Sequence, residues 1–220
     1  MKKVLSAVMM ILLLFSFFGC GSQNVYSIDS SDKSSSDASA SYEASDSMRL
    51  SWMKFKDGDY YISFAGSINA NGETVTQFIQ GSKSGKDTAF ILYENEKIIQ
   101  HVFSLDSELY ISEDLESYEI QEYDYSSKEP VFDSAMGGIF SEVGELTDTG
   151  IDDGGAYEKY SYDENTAVTY WFDGGDCIMI EVNYTDGDYT QTSVYTGIEV
   201  SRESNSVLFT LPEGAVINIK

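Results

Sequence analysis

The chain has 220 residues, of which 37 are acidic and 13 basic, for a formal charge of −24 at pH 7. Binding phosphates needs clustered Lys and Arg, so this balance argues against nucleic acid as a partner, and anionic lipid headgroups would repel the chain. The single histidine, His101, has no second His or suitably spaced Cys to build a zinc site with.

Lys2 and Lys3 precede an apolar run from Val4 to Phe18 that ends in Gly19-Cys20. Charge followed by a short apolar stretch is the order of a secretory signal, and fifteen residues fall short of the roughly 20 that a spanning helix needs. Gly19-Cys20 resembles the bacterial lipobox, although Phe17 and Phe18 stand where an aliphatic and a small residue are usual. The expectation is a signal peptide over residues 1–19 and a lipid-bearing Cys20, acylated with chains of the palmitate kind, which would hold the protein on the extracytoplasmic face of the cell membrane. Each buried methylene contributes about 0.8 kcal/mol to such an anchor. Loss of Lys2 and Lys3 with the signal takes the formal charge from −24 to −26. With Cys20 acylated, only Cys177 remains, so no internal disulfide is expected and stability must come from a packed core.

Residues 20–47 are rich in Ser and Asp and poor in large apolar groups, too little to offset ordering entropy. This segment reads as a tether with a reach of about 30 Å. From Met48 the composition changes, and 14 of the 16 tyrosines fall in this part. Residues 48–220 therefore form the expected folded domain, long enough for one core.

Strand patterns run over Tyr60–Asn69, Thr74–Gly81, Thr88–Glu94, Ile98–Leu105, Leu109–Ser112 and Tyr118–Tyr123. A second group covers Tyr157–Tyr162, Val168–Phe172, Cys177–Tyr184, Tyr189–Val200 and Val207–Leu211. Lys56-Asp57-Gly58-Asp59, Asn71-Gly72, Asp173-Gly174-Gly175-Asp176 and Asp186-Gly187-Asp188 carry hairpin chemistry, and short loops between successive strands imply an antiparallel meander.

Two segments read as helical. Met48–Lys56 places Met48, Trp52 and Phe55 on one side with Ser47 as N-cap; a strand over the same residues is the alternative. The second follows Pro130 and aligns Phe132, Met136, Ile139, Phe140 and Val143. Its central Gly137-Gly138 costs a helix about 1 kcal/mol per glycine relative to Ala, which predicts a kink or local mobility; the alternative is that the glycines permit close packing on the sheet.

Several suggestive patterns reduce to ordinary chemistry. Asp57/Asp59, Asp152/Asp153 and Asp186/Asp188 do not fit a calcium loop and read as turns. Ser51-Trp52-Met53-Lys54, Ser67-Ile68-Asn69 and Lys83-Ser84-Gly85 spell the motifs of penicillin-binding enzymes, but about a dozen residues separate each pair, too few for the helical domain that chemistry requires. Cys177 reads as a buried, inert thiol. No catalytic residue, metal site or cofactor is expected.

A helix leading into Gly58-Asp59-Tyr60-Tyr61-Ile62, a meander, a central helix, then Tyr157-Glu158-Lys159-Tyr160, Tyr170-Trp171-Phe172-Asp173-Gly174 and Phe209-Thr210-Leu211-Pro212-Glu213-Gly214 resembles the outer-membrane lipoprotein carrier-like (LolA-like) superfamily. Members commonly end their final strand in Phe, one residue, Leu or Ile, Pro, one residue and Gly. The resemblance, closer to the membrane-anchored lipoprotein members, implies an α+β fold: a strongly curved antiparallel sheet, an unclosed barrel of about ten or eleven strands, with helices covering a concave face that encloses acyl chains. The soluble shuttle of the superfamily fastens its lid with a buried arginine. Arg49 and Arg202 are the only arginines here and neither falls at a match, so the resemblance does not extend to shuttling.

The function expected is a tethered, non-enzymatic protein that receives a lipid or other hydrophobic molecule, with Phe132, Met136, Ile139 and Phe140 at the ligand. Alternation at Val168-Thr169-Tyr170-Trp171-Phe172 leaves open whether Trp171 joins them. The rival is a surface protein with a filled core whose exposed tyrosines contact a glycan or an envelope protein, since Tyr offers both an apolar face and a polar tip.

Overall fold

The computed structural model describes residues 47–126, 131–140 and 144–219. The expected signal peptide, Cys20, the tether up to residue 46, Pro130 and Val143 lie outside them. A short helix α1, Met48–Met53, runs into a 3-10 turn, Lys54–Asp57. Six strands follow: β1 (Tyr60–Ala70), β2 (Glu73–Ser84), β3 (Asp87–Glu94), β4 (Lys97–Leu105), β5 (Glu108–Ser112) and β6 (Ser117–Glu122). Helix α2, Val131–Phe140, leads to β7 (Glu145–Asp152), β8 (Gly155–Ser161), β9 (Thr166–Asp173), β10 (Asp176–Asp186) and β11 (Tyr189–Ser201). A 3-10 turn at Ser206–Phe209 and strand β12 (Val216–Ile219) close the described chain. No described helix is long and apolar enough to cross a membrane.

All strands belong to one twelve-stranded sheet in the order β12-β6-β5-β4-β3-β2-β1-β11-β10-β9-β8-β7. Two antiparallel meanders, β1–β6 and β7–β11, are joined by β1 against β11, and β12 adds in parallel to β6. The end strands β12 and β7 are not paired to each other, so the barrel is unclosed. Hairpin chemistry accounts for the meanders. Asn71 and Gly72, at φ 51° and 84°, make the tight turn from β1 to β2, a conformation that right-twisted strands favour and glycine adopts without strain. Asn95-Glu96 and Asp106-Ser107 do the same between β3, β4 and β5 without glycine.

Several sequence expectations need correction. Where a strand was expected over Val207–Leu211 the chain forms the 3-10 turn Ser206–Phe209 and no strand, because the Asn205 side chain accepts from the Val207 N–H at 3.2 Å and Leu208 drops into a core. Lys56-Asp57-Gly58-Asp59 is the exit from the first 3-10 turn and not a hairpin; Gly58 has φ −122°. Strands β7 and β12 were not expected: most β7 residues and all β12 residues are exposed, so neither carries the alternation that burial imposes. The sheet thus has twelve strands, not ten or eleven. The helical cover is also smaller than expected. Ten residues of helix span about 15 Å, whereas twelve strands at about 4.8 Å spacing extend over about 50 Å.

Each face of the sheet carries a core. On the inner face Tyr60, Ile62 and Phe64 of β1, Phe90 of β3 and Tyr170 of β9 pack with Met53, Phe55 and the side chains of α2. On the outer face Ala89, Ile91, Phe103 and Tyr118 pack beneath Leu208, with half-buried Phe209 and Leu211 beside them. The chain following β11 therefore lies across the back of β3–β6. Burial on both faces explains the unbroken apolar run Ala89-Phe90-Ile91-Leu92 in β3.

Candidate functional site

Helix α2 lies on the inner face against β3 and β4. The Val131 N–H donates to Thr88 Oγ1 at 2.9 Å, and the Phe140 carbonyl accepts from Lys56 Nζ at 3.1 Å. Between these ends the helix breaks: Met136 has φ −115° and ψ 15°, a kink one residue ahead of Gly137-Gly138, for which kinking and close packing on the sheet were the two readings. Phe132, Met136, Ile139 and Phe140 are brought together, none more than 4 % exposed. Phe140 has ring neighbours at 5.2 Å (Phe132), 6.0 Å (Phe64 and Trp52) and 6.3 Å (Phe55). Phe132 lies directly on Gly81 of β2, where a Cβ would stand 2.2 Å from its ring. Only glycine admits this approach.

Trp171 is not with them. The register of β9 with β10, Tyr170 opposite Ile180, turns Val168, Tyr170 and Phe172 inward and Trp171 outward. Its indole N–H donates to Asp152 Oδ2 at 3.4 Å on the outer face. Its cross-strand partner Tyr157 donates to Asp148 Oδ2 at 3.1 Å.

The connection between the helices was not legible in sequence. Glu158 of β8, fully buried, accepts from the Met48 N–H at 2.8 Å, the Arg49 N–H at 3.0 Å, and the Ser47 and Tyr160 hydroxyls at 2.9 Å, which fastens the start of α1 to the sheet. Arg49, 1 % exposed, stacks 4.0 Å from the Tyr160 ring centroid and donates from Nη1 to the Tyr162 hydroxyl at 2.7 Å. Tyr162 and Tyr170 hydroxyls are 3.0 Å apart, and Tyr170 donates to the Ile139 carbonyl at 2.5 Å. These residues are scattered through the chain and no spacing joins them.

A further pair was readable. Alternation through Thr88–Glu94 puts Glu94 on the face of Phe90 and Leu92, and Glu94 pairs with Gln77 of β2. Both are 7 % exposed, and burial pushes the Glu94 carboxyl above its ordinary range. Beyond Gln77, Gly66 of β1 lies under the Tyr195 ring, 2.8 Å from where a Cβ would stand; burial raises the Tyr195 phenol to about 12.

His101 is buried on the outer face between the Tyr118 hydroxyl at 2.7 Å and the Leu208 carbonyl at 2.9 Å, a structural role. Cys177 is buried and its thiol pushed up by that burial. Among the described residues no three His, Cys, Asp or Glu side chains gather as a metal ion would require.

No protein-family model matches the sequence. No curated protein matches it. Among solved structures, the chain is similar to an uncharacterized conserved protein from Thermus thermophilus, with 8 % identity and a TM-score of 0.48 over 78 % of this chain and 97 % of that one. It is similar also to a chain of the Pseudomonas aeruginosa MucA/MucB complex, with 11 % identity and a TM-score of 0.41 over 76 % of this chain and 60 % of that one. The Mycobacterium tuberculosis lipoprotein LppX matches with 10 % identity and a TM-score of 0.33 over 68 % of this chain and 91 % of that one.

Proposed function

We propose that this chain is a membrane-tethered, non-enzymatic extracytoplasmic lipoprotein that binds a lipid or other hydrophobic molecule between α2 and the inner face of the sheet. The observation that supports this reading is the build of α2: a ten-residue helix, broken at Met136, that spends its large apolar side chains on the sheet. An isolated helix of that length is marginal in water, so α2 owes its place to those contacts and to the hydrogen bonds at its ends. An acyl chain offers the sheet the same apolar surface, at about 25 cal/mol per Å² buried, and so competes with the helix for it. Anchoring through Cys20 puts the domain beside a supply of such chains.

Native mass spectrometry and solvent extraction of the full chain test the reading. A recovered amphiphile, lost on Met136→Trp or Phe140→Trp with the melting temperature kept, is the expected result. Labelled fatty acid should enter the wild-type protein and not Cys20→Ala; equal labelling sinks the anchor.

One observation favours a second reading, the surface-interaction protein with a filled core. Tyr157 and Trp171 are half-exposed neighbours on the outer face, each steadied by an aspartate, an arrangement suited to stacking on a glycan or an envelope protein. If extraction yields no amphiphile and Trp171→Ala alone abolishes attachment to cell-envelope material, this reading replaces the first.

A further inference from the structure

Glu94 Oε2 is fully enclosed and has no hydrogen-bond partner. A buried carboxyl left in that condition works against folding, and an apolar side chain of similar size would serve the sheet better. Its neighbour across the β2–β3 ladder is Gln77, equally buried, whose amide makes no side-chain hydrogen bond among the described residues. Beside the apolar strip of Ile79, Leu92 and Phe64, the enclosed Glu94 oxygen thus holds unused hydrogen-bonding capacity, and the Gln77 amide stands next to it.

Their place on that face gives the capacity a direction. Along β2 the inward positions run Gly81, Ile79, Gln77, and along β3 they run Phe90, Leu92, Glu94, so the same row that begins beneath Phe132 ends at the polar pair. Four residues of strand separate Gly81 from Gln77, about 13 Å at about 3.3 Å per residue. The strip between is Ile79, Leu92 and Phe64, all buried and apolar. On the other side of Gln77 the Tyr195 ring lies across Gly66 and walls the row. Along the β2–β3 row the inner face is therefore apolar beneath Phe132 and offers hydrogen bonds at Gln77 and Glu94.

The geometry points to Glu94 and Gln77 as the head-group end of the site, where an amphiphile lying under α2 by its chain places a hydroxyl or amine that donates to the Glu94 carboxyl. The Gln77 amide bonds the same head, as donor or acceptor. A fatty acid anion is rejected there, because its carboxylate brings a second acceptor and a like charge against Glu94. This inference rests on the lipid-binding reading above and adds the class of head that the site selects.

The test uses the full chain carrying Cys20→Ala, so that no acyl group on that residue competes, with monolaurin, dodecylamine and laurate titrated below their micelle concentrations. Monolaurin and dodecylamine should each bind roughly tenfold or more tighter than laurate, the size expected of one charge-assisted hydrogen bond. Glu94→Gln should strengthen laurate and narrow that gap to about threefold or less, with its melting curve recorded as the check on folding. Gln77→Leu should weaken monolaurin while leaving dodecane uptake as it was. Tight binding of dodecylamine alone assigns the head to an amine; tight binding of both assigns it to any hydrogen-bond donor. Equal affinity for all three probes, or a laurate gap unchanged in Glu94→Gln, overturns the head-group assignment while the apolar site stands. No binding of any probe, dodecane included, overturns the lipid-binding reading and this inference with it.

Discussion

Arg49 of α1 is joined to Ile139 of α2 by a relay of two tyrosines: Arg49 donates to Tyr162 at 2.7 Å, Tyr162 meets Tyr170 at 3.0 Å, and Tyr170 donates to the Ile139 carbonyl at 2.5 Å. Because the Tyr170 hydrogen is committed to that carbonyl, the Tyr162 hydrogen must point to Tyr170, and the three bonds run in one direction. This relay through β9 couples the two helices by hydrogen bonds, alongside the direct ring contact of Trp52 with Phe140. Tyr170→Phe removes the last link and strands a buried carbonyl, at an expected cost of about 1–3 kcal/mol in urea unfolding. Amide exchange in α2 should accelerate more than exchange in β2 or β9. Uniform acceleration across the domain would show that the relay does not act on the helix.

His101 supplies a pH dependence on the opposite face. Burial lowers its pKa from the ordinary value near 6.5, with the Leu208 carbonyl opposing, and Nε2 donates to that carbonyl while Nδ1 accepts from Tyr118. Tyr118, raised to about 12 by burial and by nearby Asp114, remains a neutral donor at working pH. The folded state therefore holds fewer protons on His101 than the unfolded state. Its contribution to stability is present above about pH 6.5 and is lost as pH falls toward the depressed folded value, with a slope of at most about 1.4 kcal/mol per pH unit. Unfolding free energies measured between pH 7.5 and 5 should show this slope in the wild type and lack it in His101→Gln. An identical slope in both proteins would assign it to carboxylates instead.

Ten of the eleven strands read from the sequence are present within a few residues, because their alternation and their Asn-Gly and Asp-Gly turns are local signals. What was not legible depends on pairing between distant segments. Strand β12 exists because Val216 meets Ser117 of β6, and β7 because Glu145 meets Ser161; neither buries enough to leave a pattern. The orientation of Trp171 needed the β9–β10 register, with its irregularity between Cys177 and Met179, which no local rule supplies. That Phe132, Met136, Ile139 and Phe140 share one face of α2 was legible because helical periodicity is also local. Glu158 and Arg49 were not, since a buried carboxylate on a helix terminus is recognisable only once residues more than a hundred positions apart are in contact.

Glu94→Leu should raise stability. The substitution removes a carboxyl whose inner oxygen has no partner and whose titration burial has already pushed upward, and it adds an apolar side chain beside Leu92 and Ile79. Relief of an unsatisfied buried polar group is worth about 1–3 kcal/mol, visible as a higher urea midpoint with an unchanged slope. A loss of stability would mean that the carboxyl contributes to folding, and the case for a ligand-facing role would go with it.

Gly81 and Phe132 provide the sharpest mechanical test of how α2 is held. A Cβ at position 81 would lie 2.2 Å from the Phe132 ring, far inside any real contact, so Gly81→Ala must displace the ring or lift the helix. Overpacking of this kind costs about 1–3 kcal/mol, and a lifted α2 should expose the apolar inner face to a dye such as anilinonaphthalene sulfonate. Phe132→Ala alone costs about 3–5 kcal/mol by emptying the same space. The two changes share one contact, so they should not add: with the ring gone, the methyl at position 81 has room, and the double variant should be less destabilised than the two singles combined by at least about 1 kcal/mol. Full additivity would mean that Phe132 does not rest on Gly81 in solution, and α2 would then have to be seated elsewhere on the sheet.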